Sequence, residues 1–155
     1  MGRSILIFCQ NENKISFQEI IQFIRDGIYF EEDPEFGIHE DYIIIQYDSN
    51  FKPIVIREIN NSKLVEDIKT ERYEEIVEIS SSMSICDKGT RDMILSSILM
   101  SKDIYRIEFS YDDLSEECWA MKACVESFLA TEKNGIILAN EGVYDSNVKL
   151  IMSFL

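Results

Sequence analysis

The residue types that commonly carry acid–base or nucleophilic catalysis are few in this chain. His39 is the only histidine, so a Ser-His-Asp triad or a Cys-His pair would have to use it. It lies in an acidic segment, Gly-Ile-His-Glu-Asp, where we expect a solvated histidine of a loop or strand edge. Adjacent carboxylates such as Asp112 and Asp113 can act as acid and base, but among 29 acidic residues such pairs arise by chance. The sequence therefore favours a protein without a catalytic site.

Patterns that bind phosphates or metal ions are also few. Neither a Gly-x-Gly-x-x-Gly loop nor a Gly-x-x-x-x-Gly-Lys-Ser/Thr loop is present. The segment from Cys86 to Arg91 is similar to the phosphate-binding loop of the cysteine phosphatases, but the two residues are one position closer together than in that family. We interpret it as a loop and the start of a helix. His39 has no partner at zinc spacing and residues 31–35 do not match a calcium loop, so we expect no cofactor and no metal, with an improvised divalent site at 31–35 left open.

The most distinctive pattern is aromatic residues interleaved with acids, in residues 29–36 and 109–119. Aromatic rings supply buried contact area and acids supply steering, which is what a protein-binding surface needs. The alternative is that the rings point into the core at the ends of elements while the acids are merely solvated. The contact residues predicted on the first interpretation are Phe30, Glu31, Glu32, Asp33, Glu35, Phe36, Tyr111, Asp112, Asp113 and Glu116.

The overall charge points the same way. The chain has 29 acidic and only 15 basic residues, for a net charge of −14, and residues 29–41, 66–78 and 108–117 hold seventeen of the acids. Such a field repels phosphate backbones and anionic membranes and attracts basic proteins. We therefore predict a basic protein partner, no binding of nucleic acid and no binding to membranes.

Length and hydropathy bound the architecture. The 155 residues, 46% of them hydrophobic, suit one domain over 1–155. No apolar run approaches the roughly 18 residues that cross a bilayer, and the N-terminus lacks the pattern of a signal peptide, so we expect a cytoplasmic protein. Four widely spaced cysteines are interpreted as free thiols.

Apolar periodicity and capping residues define the elements that must position these residues. The continuous apolar run at 4–9 predicts a strand inside the sheet, and the short loop between 41–47 and 53–59 predicts an antiparallel hairpin. Ser16 and Glu19 form a capping box, and Thr90 and Ser115 are predicted to cap later helices. The predicted elements are a strand at 4–9, a helix from Ser16 to Gly27, strands at 41–47 and 53–59, a helix from Thr90 to near Lys102, a strand at 104–109, a helix from Ser115 to Asn134, a strand at 136–139 and a final strand or short helix at 148–154. This order predicts the α+β class, as a two- or three-layer domain in which helices pack on a mixed sheet.

Residues 62–79 are ambiguous, because the first half keeps helical spacing and Glu75-Ile-Val-Glu-Ile resembles a strand. We favour a short helix followed by a strand. A single helix would instead place four acids on one face as a repulsive ridge: Glu71, Glu74, Glu75 and Glu78.

Three functional hypotheses follow. In size, charge and lack of catalytic motifs the chain resembles the bacterial immunity proteins, a resemblance that implies a basic toxin as the partner and transfers no individual residue. The second hypothesis is a small-molecule-binding or enzymatic α+β domain with a pocket between sheet and helices. The third is a homo-oligomer, in which residues 148–154 pair with another copy. We take the first as the main prediction, with the chain a monomer or homodimer.

Overall fold

The computed structural model describes residues 2–11, 13–82, 87–110 and 114–155. Its helices are α1 (Phe17–Gly27), α2 (Ser62–Ser82), α3 (Lys88–Leu99) and α4 (Glu116–Glu132). Its strands are β1 (Gly2–Cys9), β2 (Glu35–Ile38), β3 (Tyr42–Gln46), β4 (Ile54–Ile59), β5 (Asp103–Ser110), β6 (Gly135–Leu138), β7 (Gly142–Tyr144) and β8 (Leu150–Ser153). The predicted α+β class is confirmed.

The described strands form one eight-stranded sheet in the order β2-β3-β4-β5-β1-β6-β7-β8. Every strand pair in it is antiparallel, where the sequence predicted a mixed sheet. The reason is the connections: hairpins join β2 to β3, β3 to β4, β6 to β7 and β7 to β8, and α2 and α3 return the chain from β4 to its neighbour β5 in the opposite direction. The connections through α1 and α4 each join strands that run in the same direction, but those strands are not neighbours: β5 and β6, for example, lie on either side of β1. The short strands β2 and β7 were not predicted.

The strand β1 lies inside the sheet, as its continuous apolar run predicted. Leu6 and Phe8 contribute to the hydrophobic core on one face, and Ile5 and Ile7 contribute to the core on the other. Helices α2 and α3 cover the first of these faces, and α1 and α4 cover the second. The protein is therefore built in three layers, with the sheet between two helix pairs.

The interpretation of residues 62–79 as a helix and then a strand is wrong, because α2 is one continuous helix to Ser82. The apolar residues of its second half keep the spacing of the first: Val65 and Ile68 are followed by Tyr73, Ile76 and Val77, and all five pack into the same core. Burial against the sheet and α3 thus decides a segment whose local sequence also suits a strand. The four acids of the predicted ridge are exposed on this helix.

The helix starts follow local capping chemistry. The predicted capping box is present in α1, where the Ser16 hydroxyl accepts the Glu19 N–H and the Glu19 carboxylate accepts the Ser16 N–H. Ser115 caps α4 as predicted. Thr90 does not cap α3; Asp87 does, because its carboxylate accepts the Thr90 N–H at 2.7 Å.

The ends of the sheet are β2 and β8. The predicted final strand is thus an edge strand, which the oligomer hypothesis requires, although pairing with another copy stays a prediction. None of the helices in the described segments is long and apolar enough to cross a bilayer.

Candidate partner-binding groove

Two of the predicted acidic segments meet where β3 ends and β4 begins. The loop after α1, the β3–β4 loop and the first turn of α4 together line a groove of about 300 Å³, formed by Phe30, Glu31, Glu32, Tyr47, Asp48, Ser115 and Glu117. A second groove of about 390 Å³ shares Glu32, Tyr47 and Asp48 with the first, and Asp33, Glu35, Gln46 and Ser49 complete its lining. The two are called the acidic groove below.

Aromatic rings lie within this acidic lining. The ring of Tyr47 stacks on that of Phe30 with 5.4 Å between centroids, and on that of Phe51 with 5.9 Å. All three side chains are half-buried, so part of each ring faces solvent. A ring face beside carboxylates attracts a cation, both through its quadrupole and through the neighbouring charge.

The β3–β4 loop is held in place by its own hydrogen bonds. The Gln46 side-chain amide donates to the carbonyl oxygens of Asp48 and Phe51, at 2.7 and 3.2 Å. The Asp48 carboxylate accepts the Asn50 N–H at 2.8 Å, and the Phe51 N–H donates to the Asp48 carbonyl. This wall of the groove is thus a preorganised turn of the predicted hairpin.

The charged side chains described in the lining of the groove are all acidic. Among the described residues that line it, none is Lys, Arg or His, whereas Glu31, Glu32, Asp48 and Glu117 all expose their carboxylates. Glu117 lies in the first turn of α4, where the positive end of the helix dipole stabilises it. A Lys or Arg side chain entering the groove would meet several carboxylates and an exposed ring face.

The structure brings most of the predicted contact residues of the first stretch together. Phe30, Glu31, Glu32, Asp33 and Glu35 line the groove. Phe36 is not among the lining residues. Like Phe30 and Tyr47 it is partly buried and packs against the core, and the Arg25 guanidinium lies 5.2 Å from its ring centroid.

The third stretch has one predicted contact residue within the described segments, Glu116. Glu116 is exposed in the first turn of α4 but does not line the groove, and its neighbour Glu117 does. The other predicted contact residues of this stretch, Tyr111, Asp112 and Asp113, lie outside the described residues.

Sequence reasoning missed six residues that line the groove, of which Tyr47, Asp48 and Glu117 supply a ring or a charge and Gln46, Ser49 and Ser115 do not. Tyr47-Asp48 repeats the aromatic–acid pattern of Phe30-Glu31, which was the available signal. It was overlooked because the dipeptide lies at the end of a hairpin strand, outside the segments of highest acid density.

His39 and Arg91, which were considered as candidate catalytic or phosphate-binding residues, make other contacts in the structure. His39 is exposed and its ring stacks on Tyr42 at 4.3 Å, in agreement with the predicted solvated histidine at a strand edge. The Arg91 guanidinium donates to the Ser80 hydroxyl at 2.7 Å, while Cys86 lies outside the described residues. Nothing in the described residues therefore gathers a phosphatase-type site around Arg91.

A buried polar cluster lies at the opposite end of the sheet, around Lys133. Its ammonium is fully buried, donates to the carbonyl oxygen of Asn13 and lies 3.2 Å from the Asp103 carboxylate. Burial raises the pKa of the nearby Cys9 thiol and the Tyr105 phenol far above their usual values, so neither ionises near neutral pH. The cluster is suited to fastening the segment that follows β1 and is not suited to nucleophilic chemistry.

The buried Cys118 thiol lies next to Tyr47 of the groove. Burial raises its pKa to about 11, although a hydrogen bond with Tyr47 acts in the opposite direction. The thiol is therefore neutral near pH 7 and does not serve as a nucleophile there.

In the described parts of the chain, no group of three or more His, Cys, Asp and Glu side chains is arranged to hold a metal ion. Comparison with known proteins adds no relative: no family model, no curated protein and no solved structure matches this chain.

Proposed function

We propose that this chain is a non-enzymatic acidic binding protein that engages a basic protein through the acidic groove, in the manner of a bacterial immunity protein that blocks a basic toxin. The observation that carries the proposal is the meeting of two acidic segments around the stacked rings of Phe30 and Tyr47. Rings with a surround of like charge favour a complementary cationic surface, and the net charge of −14 steers such a partner from a distance.

The lining of the groove favours a macromolecular partner over a metabolite. Small-molecule sites are mostly enclosed and apolar, with a few polar groups that fix the orientation of the ligand. The acidic groove is open to solvent, and acidic or polar residues outnumber the two aromatic residues that line it. A flexible Lys or Arg from a large basic surface suits such a lining better.

The test is a pull-down from lysate of the source organism with three purified baits, followed by mass spectrometry and by affinity measurement with the captured protein. One bait is the unaltered protein, and one carries Glu31→Gln, Glu32→Gln and Glu117→Gln in the groove. The matched control carries Asp67→Asn, Glu71→Gln and Glu74→Gln, which remove the same charge from exposed positions on α2, at the other face of the sheet.

The proposal expects a basic protein that the unaltered and control baits hold at low salt and release as salt rises. Its affinity for the groove variant should be lower by about tenfold or more. Equal affinity for the two variants would remove the groove from the interface, and failure of all baits to hold a basic protein would overturn the proposed function.

A further inference from the structure

The strand β2 leaves one edge of the sheet open. Within the described residues β2 pairs only with β3, with Gly37 opposite Ile44, and the His39 N–H continues the ladder by donating to the Tyr42 carbonyl at 2.9 Å. In an antiparallel ladder, alternate residues direct both backbone groups toward the same neighbour. Since His39 and Gly37 face β3, Phe36 and Ile38 direct theirs away from the sheet.

These outward groups have no partner in the described parts of the chain. Between described residues, no hydrogen bond involves the backbone N–H or carbonyl of Phe36 or Ile38 on that side. Ile38 is also 50% exposed, which is high for a large apolar residue. An extended segment that paired here would satisfy the backbone groups and cover the Ile38 side chain.

The two edges of the sheet differ in how well they are protected. At the opposite edge, the pairing of β8 with β7 is interrupted by a register shift between Val143 and Tyr144. Such irregularities are a common protection against the addition of a further strand. The register of β2 with β3 runs without interruption from Glu35 to Ile38, so β2 is the edge that accepts another strand.

Charge selects what this edge accepts. Four acids lie immediately before or at the start of β2, and two more follow it: Glu31, Glu32, Asp33, Glu35, Glu40 and Asp41. A second copy of the chain that paired through β2 would bring two such sets of acids together, which is repulsive. A basic segment would meet carboxylates at both ends of the strand.

We propose that β2 adds an extended basic segment of the partner as a ninth strand of the sheet, an inference that rests on the proposed function and specifies its mode of contact. Backbone hydrogen bonds to Phe36 and Ile38 provide the pairing. On the added strand, side chains alternate between the two faces. Those on the face of Ile38 are apolar, and those on the face of Glu35 are Lys or Arg.

The test uses a short peptide of alternating Lys and Val, together with the same peptide N-methylated at alternate residues. The second peptide keeps the charge but cannot donate hydrogen bonds along one edge. Amide hydrogen exchange of the protein, followed by NMR, reports the position of binding. The plain peptide should slow exchange at Phe36 and Ile38 by about tenfold or more, whereas Gly37, already bonded within the sheet, serves as the reference.

A protein variant provides the second measurement. Ile38→Pro removes one outward N–H and is of the kind that an edge strand tolerates. Its control is Ser153→Pro in β8. The Ser153 N–H also points away from the sheet, because the neighbouring Phe154 N–H points inward and donates to the Glu141 carbonyl. Binding of the plain peptide should weaken by about tenfold in Ile38→Pro and remain unchanged in Ser153→Pro.

The outcomes separate this inference from the proposed function. Two results would overturn strand addition: the peptide binds but exchange at Phe36 and Ile38 is unchanged, or N-methylation does not weaken the binding. Either result would leave the proposed role of the acidic groove unaffected. A peptide that does not bind, when the protein still captures a folded basic protein through the groove, would also overturn strand addition alone. The exchange pattern is measured on the unaltered protein, so it decides the question even where the proline variant fails to fold.

Discussion

The ammonium of Lys122 lies 2.6 Å from the carboxylate of Glu126, one turn further along α4, and both side chains are almost completely buried. The ammonium also lies 4.6 Å from the ring centroid of Phe109 and 5.0 Å from that of Trp119. The pair therefore occupies positions on the buried side of α4 that an amphipathic pattern would give to apolar residues. Each charge is stabilised chiefly by the other, because little solvent reaches them.

Removing one member of this pair should cost far more stability than removing both. Lys122→Met leaves a buried carboxylate whose pKa burial already raises, and should lower the free energy of unfolding by about 3–5 kcal/mol. The double variant Lys122→Met/Glu126→Met should lie within about 1 kcal/mol of the unaltered protein or above it. Urea unfolding of the two variants measures the difference. A double variant as unstable as the single one would show that the pair is not energetically isolated.

Glu58 gives a prediction of pH dependence. Burial, and secondarily the neighbouring Asp103 carboxylate, raise the pKa of Glu58 above its usual range, while Lys133 and Lys14 oppose this shift. The folded protein then binds the proton more tightly than the unfolded chain. The contribution of this group to the free energy of unfolding is therefore greatest below the ordinary pKa of glutamate, and it falls as pH rises through the raised value.

Glu58→Gln should remove that dependence. Near pH 3, below the ordinary pKa of glutamate, Glu58 is protonated in both states and the variant should match the unaltered protein, whereas near pH 8 the variant should be the more stable of the two. Unfolding curves in urea at both pH values supply the comparison. A variant that is less stable at pH 8 than the unaltered protein would mean that ionised Glu58 is stabilised by its lysine neighbours.

Alanine substitution at two glycines, Gly135 and Gly89, should change the stability of the fold in opposite directions. A Cβ atom at Gly135 would lie 2.3 Å from the Phe8 carbonyl oxygen, a backbone atom of the paired strand β1 that cannot move aside freely. Gly135→Ala should therefore destabilise the protein by about 2 kcal/mol. At Gly89, inside α3, the nearest atom to such a Cβ is an Asp87 carboxylate oxygen at 3.4 Å. Gly89→Ala should stabilise by about 0.5–1 kcal/mol, because alanine loses less backbone entropy in a helix. Thermal unfolding of both variants checks the sign.

Where local sequence and burial agree, the elements were predictable. The capping box at Ser16 and the continuous apolar run of β1 each have one physical interpretation, and both are present. Residues 75–79 were misinterpreted because a Glu-Ile-Val-Glu-Ile segment suits a helix or a strand equally well, and only packing on the sheet and α3 decides. The strand β2 has four residues with a central glycine, too few for periodicity to be detected.

The groove was only partly predictable, for a related reason. Charge density along the chain identified Glu31, Glu32 and Asp33. It could not identify Tyr47 and Asp48, which join that cluster through the hairpin of β2 and β3, because β2 itself was not predicted. Composition indicates which segments are acidic, whereas the sheet order decides which of them meet.

Reversing the charge of Glu31, Glu32 and Asp33 to lysine should slow association with the captured basic partner by about 10- to 100-fold at low salt. The reason is that these carboxylates are exposed at the mouth of the groove and act on the approaching partner before contact. The dissociation rate should change less, since exposed charges at an interface rim act mainly on encounter. Stopped-flow or surface plasmon resonance gives both rates.

The same reversal at Asp67, Glu71 and Glu74 on α2 separates local steering from net charge, because it alters the total charge equally at exposed positions on the other face of the sheet. This control should slow association much less, and the difference between the two variants should shrink as salt shortens the range of the field. An equal slowing in both variants would assign the steering to the net charge of −14 and leave the groove without a role in encounter. An unchanged association rate in the groove variant would remove residues 31–33 from the interface.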